Sequence, residues 1–167
     1  NGILFNHESP LRGETFVTKK ITQYVAKEKL KKNKQLLSLG NLNSKRDWGH
    51  AKDYVKAMWL MMQQKKPDDF VIATGKSTSV RKFVEISFNF IGIKIIWRGK
   101  GVNEIGINKE TGKKLIKIEK RLFRPNEVHF LKGNINKAKK NLKWKPTISL
   151  NKLIEEMINF DLIKFKK

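Results

Sequence analysis

The 167-residue chain has no cysteine, only four prolines and two tyrosines, and few acids: 15 Asp and Glu stand against 37 Lys and Arg. Without cysteine there is no disulfide framework and no thiolate metal site, and a cytoplasmic setting is the default expectation. No apolar run approaches the roughly 20 residues that span a bilayer, and no signal-peptide pattern opens the chain, which argues against a membrane protein. The three histidines, at 7, 50 and 129, are isolated and form no two-histidine helix motif, so no metal centre is expected. Internal repeats and low-complexity tracts are also missing.

Arginine is scarce, and this bears on the net charge of +22, which would ordinarily suggest a nucleic-acid partner. It occurs only at 12, 46, 81, 98, 121 and 124; the remaining positive charge is lysine, spread through every segment with one dense run from Lys27 to Lys34. Sites that read bases and phosphates favour forked arginines interleaved with aromatics, and neither pattern occurs. A solvated lysine surface is the simpler reading, so no nucleic-acid partner is expected. A basic, non-enzymatic protein that binds RNA or another polyanion stands as the alternative.

What is present supports a folded α/β chain. A hydrophobic content of 39% with ten Phe is enough for a core. The first residue is Asn1, and the strand-like run Gly2-Ile3-Leu4-Phe5 follows at once, as expected of a chain truncated within a longer one. Asn6 to Pro10 reads as a loop, and Phe16 to Ala26 has helical spacing. Leu36, Leu37 and Leu39 form a short strand closed by Gly40-Asn41. Ser44 or Asp47 can cap a helix that buries Ala51, Tyr54, Val55, Met58, Met61 and Met62 on one face. Phe70 to Ala73 is a buried parallel strand, and Ser77 to Ser79 cap a helix with apolar positions 80, 83, 84, 87, 90 and 91. Ile93 to Trp97 is a strand, and Arg98 to Lys120 reads as a hairpin or extended arm. Asn136 to Leu142 and Leu150 to Ile158 are helices. Strands alternating with helices point to an α/β architecture.

Several motifs fail on inspection. Gly75-Lys76-Ser77 follows a strand and precedes a helix, but a phosphate loop needs a glycine five residues earlier, where Phe70 stands. Gly112-Lys113 fails the same test. No G-x-G-x-x-G follows any strand, so the chain carries no pyrophosphate loop of its own. The four tryptophans suit core or turn anchors better than stacking platforms, and Glu155-Glu156 suits a solvated helix face.

What remains is a group of polar loop residues: Asn6, His7, Arg12, Lys20, Arg46, Arg124 and Glu127. Loops after strands are where α/β proteins place ligand contacts. Arg46 lies between a strand and a helix, where helical N–H groups are free for a phosphorylated ligand; pairing with Asp47 or solvent is the plain alternative. Forked and cationic donors suit a diphosphate, and a carboxylate such as Glu127 suits ribose hydroxyls. Together these suggest a nucleotide-bearing ligand.

Long strings of this sequence resemble the GDP-mannose 4,6-dehydratase family of extended short-chain dehydrogenase/reductases. They include Asn1 to Pro10, Arg12-Gly13-Glu14-Thr15-Phe16-Val17-Thr18 and Leu39-Gly40-Asn41. Lys45 to Val55, Val71 to Gly75, Phe123 to Val128, Lys137-Ala138 and Trp144-Lys145-Pro146 agree as well. The resemblance runs end to end and corresponds to roughly the C-terminal half of such an enzyme. It implies the last strands and helices of a Rossmann-like NAD(P)-binding fold plus a small, mainly helical substrate-binding domain. It implies a hydro-lyase in which NADP takes a hydride from C4 of GDP-mannose, water leaves across C5 and C6, and the hydride returns to C6. The product is GDP-4-dehydro-6-deoxymannose, on the way to GDP-fucose and related sugars.

The resemblance assigns Asn6 to the sugar–diphosphate, Lys20 and Arg46 to the diphosphate, and Leu39-Gly40-Asn41 to the border of the guanine. Arg124 would hold phosphate, Glu127 the ribose, and His7 and Arg12 the NADP. The glycine loop and the catalytic residues would precede Asn1, leaving this piece inactive alone, and the full-length enzyme would be a homodimer or homotetramer. Leu11 departs from the family pattern, which usually has a second arginine there. His129, Asn134 and Lys143 depart as well, away from the proposed contacts.

Overall fold

The computed structural model describes residues 1–123 and 128–166. Among these residues ten short strands and five α-helices are arranged as the alternation of apolar runs implies, in an α/β fold. The chain opens with β1 (Gly2–Leu4), β2 (Asn6–Glu8) and α1 (Val17–Lys29), then β3 (Leu37–Leu39), β4 (Lys45–Arg46), β5 (Trp48–His50) and α2 (Ala51–Met62). It continues through β6 (Phe70–Ile72), β7 (Thr78–Ser79), α3 (Val80–Phe90), β8 (Ile95–Arg98), β9 (Ile105–Asn108) and β10 (Lys114–Ile118). Helices α4 (Asn136–Leu142) and α5 (Leu150–Lys166) close it.

The strands pair in four groups. β1 runs parallel to β6, β2 parallel to β5, and β4 antiparallel to β7. The hairpin expected between Arg98 and Lys120 is the β9–β10 pair, and it joins β8 on one side and β3 on the other in the order β3-β10-β9-β8. Gly106 suits that hairpin: a Cβ there would crowd Ile116, whose Cδ1 and Cβ lie 2.6 and 3.0 Å away, and the Trp97 ring at 3.1 Å.

Helices α1, α3 and α5 pack on one another beside this sheet around the larger apolar cluster. Phe83, Phe88, Ile21, Leu115, Ile116 and Ile158 are fully out of water there, and Trp48 meets Phe83 edge-on at 5.0 Å between ring centres. A buried ion pair ties α5 to α1: Lys19 Nζ donates to Asp161 Oδ1 at 2.6 Å and to the Pro10 carbonyl at 2.8 Å, and Thr22 Oγ1 donates to Asp161 Oδ2 at 2.9 Å. A smaller cluster of Tyr54, Ala57, Phe70, Ile72, Ala138, Leu142 and Trp144 joins α2 and α4 to β1 and β6.

Several local expectations are corrected. Asn6–Glu8 is a strand because its backbone pairs with Trp48–His50 in register. The cap of α2 is neither Ser44 nor Asp47: an extra strand, β5, intervenes, and His50 Nδ1 accepts from the Lys52 N–H at 3.0 Å. The buried face of α2 is Asp53, Tyr54 and Ala57, whereas Val55, Trp59 and Met62 are 62%, 61% and 82% exposed. The helix lies where the spacing predicts it, but the face meeting the strands is set by Tyr54. The second helix of the apolar pattern is capped as expected, with Ser79 Oγ accepting from the Lys82 N–H at 3.1 Å. The last helix runs eight residues beyond Ile158, since Asp161 continues its buried face.

Candidate functional site

A cleft of about 600 Å³ lies between the strand ends and the start of α1. Asn6 reaches it from β2, Leu39 and Gly40-Asn41 from the end of β3, and Arg46 from β4; Phe16, Thr18 and Lys20 come from the beginning of α1. These elements converge because β2 and β5 pair in parallel while β4 and β7 close the adjoining edge. The strand-end glycine is specified by space, since a Cβ on Gly40 would collide with the Leu122 carbonyl. Of the proposed substrate contacts, Asn6, Lys20, Leu39 and Arg46 therefore line one cavity. Arg124 and Glu127 lie outside the described residues.

The electrostatics of this cavity favour an anion. The first turn of α1 has no side-chain cap and no acid, and its N-cap position, Phe16, is in the cleft wall. The free N–H groups of that turn carry the positive end of the helix dipole. Lys20 adds a full charge, and Arg46 adds another while its Nη1 donates to the Lys45 carbonyl at 2.9 Å and the Val128 carbonyl at 2.5 Å. The helix start that serves the cleft is thus that of α1. Arg46 sits before β5, and the N-terminus of α2 is closed by His50.

Pairing of Arg46 with Asp47 is excluded by the carboxylate's other duties. Asp47 is fully buried and accepts from Thr74 N–H (2.8 Å) and Thr74 Oγ1 (2.5 Å), from Gly75 N–H (2.9 Å) and from Gly133 N–H (3.1 Å). It fastens the loop after β6 and the segment before α4 behind the cleft. Asp53 does the same for the start of α5, accepting from Thr147 N–H at 3.0 Å, Thr147 Oγ1 at 2.6 Å and Ile148 N–H at 3.0 Å. Neither role is legible in the sequence, because nothing next to either aspartate marks partners that lie up to 95 residues away.

His7 and Arg12, the proposed cofactor contacts, stand apart from the cavity. His7 alternates with Asn6 and Glu8 on β2; its Nδ1–H donates to the Phe5 carbonyl at 2.9 Å and its ring packs on Tyr54 at 5.0 Å. Arg12 packs behind two residues of the cleft wall, its guanidinium 3.5 Å above the centre of the Phe16 ring and its Nε 3.1 Å from Glu8 Oε2. Its terminal nitrogens meet no protein acceptor among the described residues. Glu8, missed by sequence reasoning, is 2% exposed in the cleft wall and accepts from Thr18 Oγ1 at 2.7 Å. Burial lifts its carboxyl above the usual carboxylate range, against the opposing pull of Thr18, Arg12 and His7. It joins Arg12 to the helix that carries Lys20.

At the end of β5, His50 Nε2 lies 2.9 Å from Glu156 Oε2, and Lys52 Nζ lies 3.3 Å from Oε1. Glu156 is therefore tied down, whereas the sequence suggests a solvated face. Some burial acts to raise its pKa, but the hydrogen bonds from His50 and Lys52 outweigh it and hold the carboxyl below its usual 4.5. Among the described residues no group of three His, Asp or Glu is arranged to hold a metal ion. No helix among them is long and apolar enough to cross a membrane.

Known proteins match this arrangement in both sequence and fold. The chain is 56% identical to GDP-mannose 4,6 dehydratase of Homo sapiens and 57% identical to that of Dictyostelium discoideum, over 97% of its own length. It covers 43% and 45% of those proteins, so it spans less than half the length of the curated relatives it matches. Among solved structures, RMD from Pseudomonas aeruginosa complexed with NADPH superposes with a TM-score of 0.79 at 15% identity, over 98% of this chain and 48% of that one. MoeE5 in complex with UDP-glucuronic acid and NAD gives 0.75 at 14%, over 98% and 46%. At these identities the structural likeness bears on the fold alone. The sequence match is of another order, because the GDP-mannose 4,6 dehydratase family model covers residues 1–157. The chain belongs to the GDP-mannose 4,6-dehydratase family.

Proposed function

We propose that this chain is the substrate-gripping part of an NADP-dependent hydro-lyase that converts GDP-mannose to GDP-4-dehydro-6-deoxymannose and water. The observation that carries the reading is the convergence of Lys20, Arg46 and the uncapped start of α1 on one cleft, in a chain of this family. Lys20, Arg46 and the α1 N–H groups neutralise the diphosphate. The strand end Leu39-Gly40-Asn41 borders the guanine, and Asn6 orients the sugar at its junction with the diphosphate. Arg124 and Glu127 take the remaining phosphate and ribose contacts.

Arg12 and His7 fit a second anionic, aromatic ligand beside the cleft. The Arg12 guanidinium is stacked and held from one side, leaving its terminal nitrogens for a phosphate; His7 spends Nδ1 on the Phe5 carbonyl and keeps Nε2 available. Fold neighbours bound to NADPH and NAD support a nicotinamide cofactor, and Arg12 favours the extra phosphate of NADP. When bound, that cofactor supplies hydride acceptance and return. The residues of this chain bind and orient, while proton and hydride transfer are assigned to residues outside 1–167. A homo-oligomeric, cytoplasmic enzyme of deoxyhexose biosynthesis goes with this reading.

The test is binding and turnover by the full-length protein. Expected are saturable binding of GDP-mannose, competition by GDP but not by UDP, and NADP-dependent formation of the 4-dehydro-6-deoxy product. Binding that ignores GDP-mannose, follows RNA and falls steeply with salt would replace this reading with that of a polyanion binder.

A further inference from the structure

A second groove, of about 520 Å³, opens directly onto the cleft and shares Lys20, Ser38, Arg121 and Leu122 with it. Its charge is one-sided: Lys20, Lys27, Lys32, Lys34 and Arg121 line it against a single acid, Glu119. That acid is already covered, by Lys117 Nζ at 3.1 Å and Arg121 Nε at 3.0 Å. Lys32 donates to the Phe165 carbonyl and Lys27 lies 4.5 Å above the Phe165 ring, contacts that leave both charges uncompensated. Lys34 is exposed and meets no partner among the described residues. Crowding these cations opposes folding, and among the described residues Glu119 is the one acid in the groove wall.

Resting on the functional reading above, we propose that this groove is an electrostatic approach channel that speeds capture of the anionic nucleotide-sugar without holding it once bound. Three features favour guidance over a second binding site. Its cations are mainly lysines on flexible stems, which act as point charges and not as rigid forks. Lys27, Lys32 and Lys34 from the dense lysine run line it away from the cleft, while at its other end it shares Lys20 with the cleft wall. A concave, singly charged wall concentrates oppositely charged ligand and raises association rates with a steep dependence on ionic strength.

The test is stopped-flow binding of GDP-mannose to the full-length protein and to two variants away from the cleft, Lys27→Gln/Lys34→Gln and Lys34→Glu. At low salt the association rate should fall about three- to tenfold in both, with the dissociation rate unchanged. In about 1 M salt, where the screening length is about 3 Å, the variants and the parent should converge. An unchanged association rate at low salt, or a loss appearing instead in the dissociation rate, would overturn the channel while leaving the cleft assignment intact. Failure of the parent itself to bind GDP-mannose would overturn the functional reading and the channel with it.

Discussion

The two apolar clusters of this chain are closed to different degrees. Beside the cleft, α1, α3 and α5 meet a four-stranded sheet, and Phe83, Phe88 and Ile116 have no contact with water. Around β1 and β6, α2 buries Tyr54 and Ala57 but turns Val55, Trp59 and Met62 outward. The first region holds its geometry by apolar packing, with one buried ion pair, Lys19–Asp161, tying α5 to α1. The second depends more on polar staples, because Asp47 and Asp53 fix loops there that the small cluster alone does not cover. The cleft draws on both, with α1 from the closed region and the loops behind Arg46 secured by Asp47.

This difference sets the size of mutational effects. Phe83→Ala should cost about 3–5 kcal/mol in chemical denaturation, since its ring is sealed between Trp48 and the helices. Trp59→Ala should stay within about 0.5 kcal/mol, and equal costs would erase the distinction between the regions. Asp161→Ala leaves the buried Lys19 without its counter-ion and should cost about 3–5 kcal/mol; a loss below about 1 kcal/mol would mean that the α1–α5 contact does not depend on the ion pair. Asp47→Ala removes the acceptor of the Gly75 and Gly133 N–H groups and should cost about 3 kcal/mol, with Asp47→Asn milder because one acceptor oxygen remains. Milder still is the acid sensitivity of Glu156. Its pKa is lowered in the folded state, so its contribution is present above the ordinary 4.5 and is lost as pH falls through the lower folded value. Glu156→Gln should flatten the stability curve below that pH; an unchanged acid limb would show that the tie to His50 is not stabilising.

The sequence showed the closed region more clearly than the open one. Positions 80, 83, 84 and 87 of α3 are buried as their spacing implies, whereas Phe88 takes the place expected of Phe90, which is exposed; the Arg98–Lys120 hairpin is where the glycines suggest. In α2 apolar residues occupy nearly the whole circumference, so spacing could not choose between the face of Tyr54 and that of Val55 and Met62. His50 as a cap was hidden because a histidine there competes with the more usual Ser44 and Asp47. In the cleft, Asn6, Lys20 and Arg46 are legible as polar residues and Leu39 only through the family resemblance, whereas Glu8 is not. Its significance comes from burial against Thr18 and Arg12, which only the folded chain creates.

The most direct test of the central claim is the affinity for GDP-mannose of the full-length protein, measured by titration calorimetry beside its Arg46→Ala variant. Neutralisation of the diphosphate by Arg46 predicts at least a tenfold weakening, about 1.4 kcal/mol, with the unfolding midpoint of the ligand-free protein little changed. An affinity equal to that of the parent would contradict the assignment of this cleft to the diphosphate.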